Sequence, residues 1–216
     1  MDPEQILLLL IHMLVWYCET VRIMFLYAAL HGMDIWSDDI TNAFIQAPTS
    51  EKVFIKCCSA FHEHVDNYAI VVRALYGLRT AAASFRNHLH DCMKTMGFEP
   101  CEGDPDLFIR PYVRSDTNKE LYEYILIYVD GVLSISDHAE ALIRRLNHYF
   151  PMKESSIQPP STYLGSTISQ VILPNHVQCW TMGSSKYIKG VMMNVEKALK
   201  TRFNLTLPKK APNPFP

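Results

Sequence analysis

Two aspartates stand where extended apolar segments end. Asp39 closes the run Ile35-Trp36-Ser37-Asp38, and Asp130 follows Tyr128-Val129. Carboxylates gathered from neighbouring strand ends are hard oxygen ligands that suit Mg²⁺. Two such ions can activate a hydroxyl and stabilise a departing pyrophosphate in phosphoryl transfer. Spacing alone leaves plainer readings open. Asp before Gly131 is a common turn former, and Asp38-Asp39 can be a solvated strand end. His62-Glu63-His64 and His88-Leu89-His90 each offer two imidazoles, but neither has a cysteine or carboxylate set at zinc spacing. Six cysteines (Cys18, Cys57, Cys58, Cys92, Cys101, Cys179) contain no CxxC pair. They read as free thiols in a reducing compartment.

The elements that must position the aspartates follow from periodicity. Residues 20–31 read as a helix stopped near Gly32. Met33 to Phe44 reads as a strand passing into a turn or helix, broken by Pro48. Lys52–Lys56 and Ala69–Ala74 are short strands. Thr80–Met96 is a helix, with Phe85, Leu89, Cys92, Met93 and Met96 at helical spacing. Leu121–Val129 and Val132–Ile135 are strands joined at Asp130-Gly131, a dipeptide that favours a two-residue hairpin. His138–Phe150 is a helix, and Pro159-Pro160 marks a linker. Tyr163–Val171 and Val177–Met182 form a second hairpin around Pro174-Asn175, and Ser185–Leu199 is a last helix. The predicted class is α+β, a mostly antiparallel sheet with helices packed on one face.

With 216 residues, 49% apolar and 19% charged, the chain can build a real core and is not disordered by composition. Its net charge of −2 gives no overall basic field for nucleic acid, although a sum says nothing about patches. Ile6–Cys18 is apolar apart from His12, but Asp2 and Glu4 stand where a secretory signal carries bases. The run is also shorter than the roughly 20 residues that span a bilayer. It is expected to be a buried helix in an intracellular protein with no membrane anchor. Leu7 to Leu10 is apolar on every side and needs cover.

Several segments, in order, resemble copia-type retrotransposon reverse transcriptases. Asp39-Ile40-Thr41-Asn42-Ala43-Phe44 resembles the first catalytic motif. Ala74-Leu75-Tyr76-Gly77-Leu78-Arg79 resembles the family's Leu-Tyr-Gly-Leu-Lys/Arg segment. Gly97-Phe98 and Asp104-Pro105-Asp106-Leu107-Phe108 follow. Tyr128-Val129-Asp130-Gly131 stands where the family has Tyr-Val-Asp-Asp. Tyr163-Leu164-Gly165 and Lys186-Tyr187-Ile188 match the later hairpin and helix start. One segment alone is weak; the ordered set is specific.

The resemblance implies a reverse-transcriptase palm over residues 20–155 and a primer-grip-like hairpin and helix over 156–200. Residues 1–19 are left unmatched, and 201–216 form a Pro-rich tail. It implies that Asp39 and Asp130 are catalytic and hold Mg²⁺. Phe44 would sit under the incoming sugar and exclude a 2′-hydroxyl. Gly77 and Arg79 would meet nucleotide and template, and Tyr163, Leu164 and Gly165 would hold the primer end. The implied partners are an RNA or DNA template-primer and deoxynucleotides; oligomeric state is not legible.

Two departures limit that expectation. Gly131 replaces the second Asp, keeping the turn but removing a carboxylate. Losing even an outer partner of a metal site costs about 10–100-fold, and this is a direct ligand. Asp38 is a poor substitute, because adjacent strand residues point to opposite faces. The family's longer fingers region also has no match in residues 1–19, so template grip should suffer. Three functions stay in view: a polymerase domain impaired at Gly131, a non-catalytic module binding nucleic acid or protein, and a decayed fragment.

Overall fold

The computed structural model describes residues 19–153, 157–174, 176 and 178–206, without the side chains of 186 and 187. The apolar N-terminal segment and the proline-rich end of the tail lie outside the described residues.

Helix α1 covers residues 19–31. Then come β1 (Asp34–Asp39), the one-turn helix α2 (Ala43–Gln46), β2 (Pro48–Lys56), a 3₁₀ turn (Ser59–His64), β3 (Tyr68–Arg73) and α3 (Ala81–Thr95). Next are β4 (Glu99–Pro100), β5 (Leu107–Arg114), β6 (Lys119–Tyr128), β7 (Gly131–Ser136) and α4 (Ala139–Leu146). The chain divides into two compact units after Pro160. The second holds β8 (Thr162–Tyr163), β9 (Ser166–Ile172), β10 (Gln178–Gly183) and α5 (Ser185–Phe203).

In the first unit five strands pair in the order β1-β7-β6-β5-β4, all antiparallel. β2 and β3 form a separate two-stranded arm. Ile125, Ile127, Val132 and Phe108 point to one face of the large sheet. There they share a core with Phe85, Leu89 and Met93 of α3 and Leu142, Ile143 and Leu146 of α4. The other face is equally apolar: Leu107, Leu126, Leu133 and Ile135 are buried. Helix α1 lies there, with the Tyr27 ring 4.9 Å from that of Tyr124, which alternates with Ile125 along β6. The expectation of helices on a single face is therefore corrected. A strand segment such as Tyr124-Ile125-Leu126-Ile127-Tyr128, apolar without alternation, needs cover on both sides.

Strand β5 escapes the periodicity reading because Arg110, Pro111 and Arg114 interrupt it. Each of the two arginines has a fixed partner. Arg110 pairs with Glu123 across the β5–β6 register, donates to the Met96 carbonyl at 2.7 Å and lies over the Phe98 ring at 4.4 Å. Glu123 is 3% exposed and also accepts the Ser136 hydroxyl at 2.5 Å. Arg114 meets Asp137 at 2.5 Å and the His31 carbonyl at 2.8 Å, which ties the end of α1 to the sheet. Its guanidinium holds the Asp137 carboxyl below the usual range.

The second unit is an antiparallel sheet, β10-β9-β8, with α5 after it. Its first turn has Leu164 at φ 48° and Gly165 at φ 74°, the positive pair of a type I′ hairpin.

Breaking a buried ion pair from one side leaves an uncompensated charge. Glu123→Ala is therefore expected to cost about 3 kcal/mol. The check is a lower urea midpoint with an unchanged slope.

Candidate active site

The β1–β7 register runs from Asp34↔Ser136 to Asp39↔Gly131. It brings the end of one Asp-bearing strand against the start of the strand that follows the other Asp. The Ile40 N–H donates to the Asp130 carbonyl at 2.7 Å, closing the two chains at this point. Asp39 and Asp130 thus share one end of the sheet, both partly exposed.

The turn itself differs from the expected one. Tyr128 pairs with Gly131, so the two turn residues are Val129 and Asp130, not Asp130 and Gly131. Gly131 is a strand residue paired on both sides, with Asp39 and with Tyr128. The residue in the left-handed region is Val129, at φ 57°. A β-branched residue is strained there, because its Cβ crowds the neighbouring carbonyl oxygen. Glycine at 131 therefore contributes nothing the turn requires.

Asp38 is 5% exposed, and its Oδ1 accepts the N–H of Asp39 at 2.6 Å. Asp39 Oδ2 accepts from Lys153 Nζ at 2.8 Å, both side chains about half exposed. That hydrogen bond, with the charges of Asp39, Asp130 and Asp38 behind it, raises the Lys153 ammonium above its ordinary range against a small cost of burial. Lys153 is held by its backbone as well. Ile40 bridges Met152, the Thr41 N–H donates to the Pro151 carbonyl at 2.9 Å, and the Lys153 N–H donates to the Asp39 carbonyl at 2.9 Å. The Met152 N–H is received by Asn147 Oδ1 at 2.8 Å. Nothing in the sequence marks Lys153, since a lone lysine after a helix reads as solvated surface.

Phe44, at the start of α2, packs against the core, and its ring meets Tyr76 at a centroid distance of 4.7 Å. Tyr76 is 62% exposed, so it is not a core residue. Gly77 follows with φ 97°, a backbone that an L-residue adopts only under strain. Arg79 is exposed. The next residue, Thr80, donates its N–H to Glu51 Oε1 at 3.0 Å and its hydroxyl to the same oxygen. Those bonds hold the Glu51 carboxyl below its ordinary range and tie the β2–β3 arm to this turn. Tyr163, Leu164 and Gly165 belong to the second unit, where Tyr163 is buried.

The histidine pairs do not gather. His88 and His90 lie on α3, where one ring meets Phe150 and the other Phe108. The five described cysteines are free thiols. No helix among the described residues is long and apolar enough to cross a membrane.

The family sequence model described as Reverse transcriptase (RNA-dependent DNA polymerase) matches residues 11–207, and the chain belongs to that family. The match begins inside the apolar N-terminal segment. Within the family the chain is a copia-type region. It is 27% identical over 141 residues to the Retrovirus-related Pol polyprotein from transposon RE2 of Arabidopsis thaliana, covering 62% of this chain. It is 29% identical over 116 residues to that from transposon RE1 of the same plant, covering 53%. The matches span 9% and 8% of those polyproteins, so the chain corresponds to a small part of them.

Reverse transcriptases generally use a divalent metal. Among the described residues, no three His, Cys, Asp or Glu side chains stand where they could hold one ion. The strand-end donors are Asp39 and Asp130, and a lysine already engages Asp39. This donor set does not fit a pair of divalent ions.

Relief of the turn strain is separable from that chemistry. Val129→Asn is expected to stabilise the protein by about 1 kcal/mol, because asparagine tolerates the left-handed region. A higher urea midpoint measures it; an unchanged or lower midpoint refutes the strain.

Proposed function

We propose that this chain is the palm region of a copia-type RNA-directed DNA polymerase whose chemistry is impaired at Gly131. The supporting observation is the β1–β7 register, which pairs Asp39 with Gly131, the residue after Asp130. A third carboxylate at 131 would join that sheet end; glycine supplies none. In this reading Asp39 and Asp130 are what remains of the Mg²⁺-binding set. Phe44, with Tyr76 against it, lies under the sugar of an incoming deoxynucleotide. Gly77 and Arg79 face nucleotide and template, and Tyr163, Leu164 and Gly165 hold the primer end. The partners are an RNA or DNA template-primer and deoxynucleotides.

A second reading, a non-catalytic remnant that binds nucleic acid or protein, is favoured by the lysine seated on Asp39. Anisotropy titration of a labelled template-primer against salt tests its nucleic-acid form. Binding should weaken steeply with salt if phosphates are engaged, and no binding at low salt removes it.

Primer extension by the unaltered chain and by Gly131→Asp decides the catalytic reading. Because Gly131 is an ordinary strand position, the variant should keep its circular dichroism and melting point. Extension by the unaltered chain is expected at or below detection. The variant should gain at least about 10-fold, the lower scale of losses at metal sites. A folded but inactive variant moves the defect away from residue 131. Robust extension by the unaltered chain overturns the reading of Gly131.

A further inference from the structure

At the opposite end of the β1–β7 pairing from Asp39 and Asp130, the sheet edge and the start of α4 border a cleft of about 400 Å³. One wall is Asp34 and Trp36 of β1; the other includes Asp137, Glu140 and Arg144. Five strand rises, about 17 Å, separate Asp34 from Asp39, so the cleft is distinct from the proposed catalytic end. Two of its three carboxylates are already neutralised. Arg114 pairs with Asp137, and Arg144 pairs with Glu140 at 2.7 Å. The Asp34 side chain is exposed and has no ion-pair or hydrogen-bond partner among the described residues.

Asp34 and Trp36 are two apart on β1, so their side chains leave the same face about 7 Å from one another. The Trp36 indole is partly buried against the core and still lines the cleft. An aromatic face beside an unpaired carboxylate suits an organic cation, which the ring attracts through its quadrupole and the carboxylate neutralises. A planar guanidinium does both at once, stacking on the indole and turning its N–H fork to the carboxylate. The start of α4 has no side-chain cap, which taken alone favours an anion. Three carboxylates against Arg144 and His138 on the lining oppose an anion there.

We propose that this cleft binds a guanidinium group, stacked on Trp36 and paired with Asp34. The inference goes beyond the polymerase reading and does not rest on it, since neither primer nor nucleotide is involved.

The probes are N-acetyl-arginine amide, an arginine of a polypeptide in miniature, and methylguanidinium, the free cation. Each is titrated into the isotope-labelled full chain while the indole N–H resonance of Trp36 is followed, assigned by its loss in Trp36→Phe. A saturable shift in the millimolar range is expected, the scale of one cation–π contact and one exposed ion pair. Asp34→Asn, at an exposed position, should keep the fold and weaken binding about fivefold. N-acetyl-citrulline amide, the uncharged isostere, should give no saturable shift, and the lysine analogue should bind more weakly than arginine. Tighter binding of the arginine amide than of methylguanidinium assigns the group to a polypeptide; equal binding assigns it to a free cation. No saturable shift with either guanidinium overturns the proposal. So does undiminished binding by Asp34→Asn, equal binding of the citrulline analogue, or a preference for N-acetyl-aspartate amide. The citrulline comparison needs no variant, so it decides even if Asp34→Asn fails to fold. Because no extension is scored, failure here leaves the Gly131 experiment intact.

Discussion

The antiparallel pairing of β1 with β7 fixes the end of the sheet on which the proposed chemistry depends. Side chains alternate along each strand, so a slip of one residue would turn every contact of β1 to the opposite face. The observed register is held by burial: Ile35 pairs with Ile135, and both are almost wholly removed from water. Once that apolar pair is set, Asp39 has to fall opposite Gly131, and Asp130 has to lie next to it. The sheet end is thus specified by hydrophobic contacts at the other end of the strands, well away from Asp39 and Asp130.

That arrangement concentrates negative charge, and the rest of the first unit answers it. β1 is the edge strand of its sheet, and an unpaired edge exposes hydrogen-bonding groups. The chain after α4 covers it: Met152 and Gln158 bridge Ile40 and Ser37. The same covering delivers Lys153 to Asp39. Edge protection and charge compensation are one structural event here. A residue with no sequence signature becomes important because backbone pairing leaves its side chain one place to go.

Much of the frame was legible. The apolar spacing in α3, the glycine that ends α1 and the aromatic and β-branched residues of β6 each mark their element by local physics. The ordered family segments located Asp39, Asp130 and the Leu75–Arg79 turn. Strand β5 was not legible, because charged residues and a proline interrupt its apolar pattern. Those arginines are accommodated in the strand by their ion pairs with Glu123 and Asp137, a fact of tertiary structure. The second helix-covered face was legible in principle. The unbroken apolar run of β6 signals burial on both sides, whereas reading it as one half of a hairpin hides that. The position of α1 over Tyr124 depends on long-range contacts that no local pattern carries. Lys153 was illegible for the same reason.

The hairpin between β6 and β7 separates the demands of the turn from the side chain at 131. Asp-Gly in sequence reads as the tip of a turn, which would make glycine structurally useful there. The pairing of Tyr128 with Gly131 moves the tip one residue back, onto Val129 and Asp130. The strain then falls on Val129, while Gly131 takes an extended conformation open to any residue. A strained residue beside a charged one is common where side-chain direction matters more than stability. Here the strained tip persists although one carboxylate of the expected set is gone. The turn that aims Asp130 and the side chain at 131 are therefore independent features. A change of side chain at 131 is therefore free to alter the charge of this sheet end without altering the turn that aims Asp130.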